Sequence, residues 1–137
     1  MSEFRTQVEL RWGDMDLNGH VNNATTLTLL EEGRVRLLYQ AGQGLVGADI
    51  GLVVARHEID YVRPMYYSTT PATVIVWIER IGRSSFTFGC DIEQNGEVAV
   101  RAQTVVVAIT PDGSRSVPLP DDARAVLETY RRDTPPS

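Results

Sequence analysis

Residues Arg11 to Arg36 read RWGDMDLNGHVNNATTLTLLEEGRVR, and the fold hangs on the junction inside them. Gly13, Asp14, Asp16, Asn18, Gly19, Asn22 and Asn23 are residue types that make tight turns and cap helices, because short polar side chains bond nearby backbone amides and tolerate unusual dihedrals. A strand is expected to end near Trp12 and a helix to begin near Asn23. At 100° per residue, a helix from Asn23 to Ala41 sets Leu27, Leu30, Leu37, Leu38 and Ala41 in one stripe, with Glu32, Arg36 and Gln40 opposite. Glu31 and Arg34 project into the apolar face. An unpaired buried charge is costly, so these two are expected to pair with each other or to meet a partner in a cleft.

The same junction carries chemistry. Unbonded N–H groups at a helix N-terminus, with the positive end of the helix dipole, polarise a carbonyl oxygen. A carboxylate a few residues upstream can attack that carbonyl or activate a water. The run GDMDLNGHVNNA followed by LLEEGRVR resembles the signature of the 4-hydroxybenzoyl-CoA thioesterase-like branch of the hotdog-fold acyl-CoA thioesterases. The resemblance implies that Asp16, the second acid of the Asp-x-Asp pair, is the catalytic carboxylate and that the N–H near Asn23 holds the thioester oxygen. Asp14 is read as a turn-forming carboxylate, His20 as a turn residue that positions the loop, and Glu31 as a helper on the helix. Ala24, Thr25 and Thr26 depart from the family pattern, in a segment where many members carry an aromatic residue.

Totals narrow the field. The 137 residues suit one domain, expected over 1–132 with a flexible tail at 133–137. Hydrophobic residues at 42% and charged residues at 23% are ordinary globular values. A net charge of -5 argues against a nucleic-acid partner, since phosphate binding wants a basic face. Cys90 is the one cysteine, so an intramolecular disulfide is excluded, and within SFTFGCDI it reads as a small core hydrophobe. MSEFRTQVEL lacks the apolar run of a signal peptide and no long apolar span follows, so no membrane partner and cytoplasmic residence are expected.

Phe4 to Trp12 alternates as a first strand. After the helix, Gly42, Gly44 and Gly47 spell G-x-G-x-x-G, but a dinucleotide fingerprint follows a strand and precedes a helix, the reverse of the order here. Gly42 is read instead as a helix C-cap within a loop. Leu52 to Arg63 reads as a strand, with Ala55, His57, Ile59 and Tyr61 on one face and Arg56, Glu58 and Asp60 on the other. His57 therefore reads as a hydrogen-bonded core or interface histidine. TVIVWIERI is apolar on both faces and is expected at the sheet centre or at a subunit contact. SFTFGCDIE turns through Gln94, Asn95 and Gly96 into EVAVRAQTVVVAIT, a hairpin. Ala123, Val126, Leu127 and Tyr130 recur at helical spacing as a short final helix.

One long helix, with four of five strands consecutive in hairpins, favours an α+β architecture: an antiparallel five-stranded sheet wrapped around a central helix. This agrees with the hotdog fold that the resemblance implies, along with homodimers, some paired into tetramers, whose sites lie at the interface. The leading function is hydrolysis of an acyl-CoA or acyl-carrier-protein thioester, with no cofactor beyond the coenzyme A of the substrate. Its phosphates need cationic or amide partners, for which Arg83, Ser84 and Ser85 are candidates with Arg63 in reserve. A hotdog-fold hydratase or dehydratase is the alternative, but relatives of that kind place Asp and His five apart, whereas His20 lies four after Asp16 and six after Asp14. A non-catalytic acyl-CoA-binding protein is the third reading. Asp14, Asp16 and His20 match no metal-ligand spacing, and no G-x-S-x-G is present for a serine hydrolase.

Overall fold

Alternating hydrophobicity in the second half of the chain closes three consecutive strands into hairpins. In the computed structural model, which describes residues 3–41 and 50–132, these are β3 (Ala72–Ile81), β4 (Ser85–Gln94) and β5 (Glu97–Ile109). Asn95 and Gly96 turn β4 into β5 with φ of 56° and 77°, the left-handed pair that a two-residue hairpin needs. β1 (Phe4–Val8) and β2 (Gly51–Tyr61) complete the sheet, α1 spans Asn23–Ala41 and α2 spans Asp121–Thr129. The glycine run at Gly42, Gly44 and Gly47 and the tail at 133–137 lie outside the described residues.

The sheet is antiparallel throughout, in the order β1-β3-β4-β5-β2. β2 thus does not form a hairpin with the strand that follows it; it crosses to the far edge beside β5. The composition of the two strands explains the placement. β3 buries Val74, Val76 and Ile78 on one face and Ile75 and Trp77 on the other, so it needs neighbours on both sides. β2 carries Arg56, Glu58 and Asp60, charges that a solvated edge tolerates.

α1 lies on the concave face against Val74, Val76, Phe88, Cys90 and Ile92, and together they form the core. Its buried stripe is rotated from the expected one: Thr26, Leu29, Leu30, Gly33, Arg34 and Leu37 are buried, while Leu27 is exposed. Gly33 sets the rotation. A Cβ there would overlap Val74 Cγ1 and press on Val76, so the helix backbone rests directly on β3. The Cys90 thiol is buried and burial pushes its pKa up to about 12, an inert core group as expected.

The first strand also ends earlier than Trp12. β1 stops at Val8 and Trp12–Asp14 form a single 3₁₀ turn. Asp14 folds the chain back by accepting the Arg11 backbone N–H at 2.8 Å and its guanidinium Nη2 at 3.0 Å. At the other end of the sheet, α2 packs Ala123 and Leu127 into the core. Arg132 then donates its N–H to the Ile78 carbonyl and lays its guanidinium 3.8 Å over the Trp77 ring.

Candidate active site

The turn before α1 is built by its own side chains. Asp16 Oδ1 accepts the N–H groups of Asn18 at 2.8 Å and His20 at 3.3 Å, while the Asp16 N–H donates to the His20 carbonyl at 2.8 Å. Gly19 closes the loop at φ 74°, a conformation that favours glycine. Asp16 Oδ2 accepts no hydrogen bond among the described residues. The Asn22 N–H donates to the Asp14 carbonyl at 2.8 Å, and Asn22 Oδ1 caps α1 by accepting the Ala24 N–H at 2.7 Å. That cap leaves the neighbouring Asn23 N–H without an acceptor among the described residues. A half-bonded carboxylate and an unbonded helix-terminal amide therefore stand seven residues apart at one turn.

Both border a cleft of about 410 Å³ lined by Asp16, Asn18, His20, Asn23, Thr26 and a wall of Tyr61, Val62, Arg63, Met65 and Val100. Of the residues singled out from the sequence, the fold brings Asp16, His20, Asn23 and Arg63 together here. The His20 ring stands edge-on to Tyr66 with centroids 5.0 Å apart, and Gln94 clamps that loop by bonding both the N–H and the carbonyl of Tyr66. Arg63 is anchored by Glu97 at 3.0 Å and by the Val98 carbonyl at 3.0 Å. Its guanidinium keeps further donors for an anion.

Other residues lie elsewhere. Glu31 is exposed on α1 two turns beyond Asn23, about 12 Å along the helix axis. It does not pair with Arg34 as expected: no ion pair joins the two among the described residues, and Arg34 Nη1, with the residue 6% exposed, has no hydrogen-bond partner. Burial on the β-sheet side explains this, because Arg34 turns with the rotated stripe while Glu31 faces solvent. Arg83, Ser84 and Ser85 form the β3–β4 turn, where their carbonyls accept from Leu119, Ala108 and Gly82. Ser85 pairs with Val107, seven residues along β5 from the cleft-lining Val100, so that turn is roughly 23 Å from the cleft. Tyr61 was not singled out for the site by sequence reasoning, although its hydroxyl donates to the Asn23 carbonyl at 3.1 Å. Alternation placed it on one face of β2 with His57 and Ile59, but only the strand order places it beside Asn23.

The thioesterase-like superfamily matches residues 10–127. A solved structure described as a predicted thioesterase from Bacillus stearothermophilus superposes with a TM-score of 0.87 at 34% identity, covering 97% of this chain and 99% of that one. A thioesterase from Thermus thermophilus, solved in complex with coenzyme A and zinc, gives 0.79 at 34% identity over 90% of this chain and 95% of that one. The long-chain acyl-CoA thioesterase FadM of Escherichia coli is 28% identical over 129 residues, covering 91% of this chain and 97% of its own length. The family match spans the Asp16 turn, the helix and strands β2 to β5, and the chain belongs to the thioesterase-like superfamily of hotdog-fold enzymes.

Proposed function

We propose that this protein hydrolyses an acyl-CoA thioester to the free acid and coenzyme A, with Asp16 as the reacting carboxylate. The observation that carries the reading is the meeting of Asp16 and the Asn23 amide at one cleft, with a free carboxylate oxygen on the first and a free N–H on the second. The thioester oxygen sits on the Asn23 N–H, which takes up the negative charge developing there as the carbonyl carbon is attacked. Asp16 Oδ2 either attacks that carbon itself or takes the proton of an attacking water. The C–S bond breaks and the thiol leaves with a proton; if Asp16 attacks, water then cleaves the acyl–Asp16 anhydride and restores the carboxylate, and in either course water supplies the second oxygen of the acid. Tyr61, Val62, Met65 and Val100 offer an apolar wall for the acyl group.

Arg63 is the cation nearest these groups and the first candidate for the phosphates of coenzyme A; Arg83, Ser84 and Ser85 would reach a cleft only from a second copy. The exposed edge strand β2 beside the cleft supports a homodimer. No helix among the described residues is long and apolar enough to cross a membrane. Action in the cytoplasm, without a cofactor, completes the reading.

Asp16→Asn tests it. The amide oxygen can still accept the Asn18 and His20 N–H groups, so the turn persists, but an amide is a poor nucleophile and a poor base. Thiol release from acyl-CoA substrates is expected to fall by at least ~10², the low end for a positioned acid or base, with fold and substrate binding retained. Near-normal release by a well-folded variant would remove Asp16 from the chemistry.

A further inference from the structure

Trp12 stands beside the cleft and the hydrolytic reading makes no use of it. The residue is 76% exposed, an uncommon state for a side chain that is highly buried on average. Its ring meets Tyr67 with centroids 5.3 Å apart and planes at 78°, an edge contact that steadies the indole while its exposure leaves a ring face open to solvent. The backbone beneath it is fixed as well. Trp12 opens the 3₁₀ turn that Asp14 closes by accepting the Arg11 N–H at 2.8 Å. Beside the ring there is room, since a Cβ added at Gly13 would meet no atom within 4 Å.

Aromatic side chains lead from the cleft to this ring. His20 lines the cleft and stands edge-on to Tyr66 at 5.0 Å; Tyr67 comes next in the chain and braces Trp12. Gln94 holds that loop through the N–H and the carbonyl of Tyr66, at 3.0 and 2.7 Å. Cations border the same rim. Arg11 uses Nε and Nη2 on Asp14, and its Nη1 makes no bond among the described residues. Arg63 lies four residues before Tyr67. An open indole with guanidinium groups nearby suits a planar base that carries phosphates, because every base has a π face and arginine pairs with phosphate oxygens. An acyl chain is a poorer occupant, since the apolar wall of Tyr61, Val62, Met65 and Val100 lies inside the cleft and Trp12 stands outside it beside Arg11.

We propose that Trp12 is the platform on which the adenine of coenzyme A stacks. The inference rests on the acyl-CoA reading above and says which part of the substrate is recognised at the rim. With the thioester oxygen on the Asn23 N–H, the pantetheine arm leaves the cleft past His20 and Tyr66. Adenine then lies on the open face of Trp12, and Arg11 Nη1 and Arg63 face the phosphates. A consequence concerns the carrier: an acyl-carrier protein presents the same thioester and pantetheine arm without adenine, so Trp12 favours free coenzyme A.

Two measurements test the platform. Adenosine 3′,5′-bisphosphate, which lacks both thioester and pantetheine, is titrated to millimolar concentration into the parent and into Trp12→Leu while tryptophan emission is followed. The other indole, Trp77, is 4% exposed beneath Arg132, so quenching of an exposed indole reports Trp12. Saturable quenching is expected in the parent and none in the variant, which keeps the fold because the deleted ring is mostly outside it. Matched acyl-CoA and acyl-pantetheine esters, from acetyl to palmitoyl, are then compared as substrates. Trp12→Leu should lower kcat/KM about tenfold for the CoA ester, through KM, and less than about twofold for the pantetheine ester, a difference within the range of one base stacked on one ring. Trp12→Phe keeps a ring and should recover most of the loss. Emission that ignores the nucleotide, or equal losses on the two esters, overturns the platform and leaves hydrolysis by Asp16 standing. If the parent hydrolyses neither ester, the acyl-CoA reading fails and the titration alone decides Trp12.

Discussion

Asp14 and Asp16 are the same residue type two positions apart, and their oxygens are committed differently. Asp14 is 3% exposed and uses both oxygens on Arg11, accepting the backbone N–H, Nε and Nη2. Asp16 holds its loop with Oδ1 alone. The first is therefore structural, and the second keeps one oxygen uncommitted, as the role proposed for it requires. Asp14→Asn should cost about 2–3 kcal/mol, because bonds to a charged group contribute roughly 1.5–3 kcal/mol and the amide cannot accept all three. That exceeds the ~1 kcal/mol of a simple cap. Chemical denaturation measures it, and a loss below about 0.5 kcal/mol would show that the buried contacts contribute little. The turn roles were legible in the sequence, since Asn, Asp and Gly at these spacings have few other uses. Which oxygen stays free was not, because it depends on where the His20 and Asn18 amides land once Gly19 takes its left-handed turn.

At the scale of elements, the long helix shows what periodicity leaves out. Its start at Asn23 and its nineteen-residue length follow from the cap and the apolar spacing, yet the buried face is centred on Gly33 and not on Leu27. A helical wheel weighs side-chain hydrophobicity, whereas the docking angle is set by how closely the backbone can approach β3. Gly33→Ala should expose this. Alanine gains up to about 1 kcal/mol of helix propensity, but its methyl would overlap Val74 Cγ1, a stiff core side chain, and overpacking costs about 1–3 kcal/mol. A net loss of up to about 2 kcal/mol is expected by denaturation, and a more stable variant would mean that α1 sits further from the sheet. The hairpins of β3, β4 and β5 were readable because alternation and Asn95–Gly96 are local signals. The place of β2 was not, because it is decided by which strand can bear an exposed edge.

Across the whole molecule, the two faces of the sheet meet different requirements. The concave face is filled by α1, and the convex face carries ionisable groups around Trp77. There Glu79 accepts a hydrogen bond from Gln103 at 2.7 Å, and Asp91 lies 3.9 Å from Arg101. Burial raises the pKa of both carboxyls above the usual range, against the weaker pull of these neighbours. A carboxyl with a raised folded pKa binds its proton more tightly in the folded state, so stability falls as pH rises between the ordinary carboxylate range and the raised value. Once ionised, both groups weigh against the fold, and acidification relieves them. Asp112 has the opposite sign, but its pKa is held down at about 2 by Thr110 and Ser114, so its loss comes only in stronger acid. His57 also has the opposite sign, and comparing variant with parent removes its contribution. Glu79→Gln keeps an oxygen for Gln103 and deletes the charge. It should raise the melting temperature at pH 7, and the advantage should shrink as pH falls toward the carboxylate range. Thermal melts from pH 4 to 7 test this, and a variant less stable at pH 7, or an advantage constant across the range, would show that desolvation of Glu79 does not govern this face.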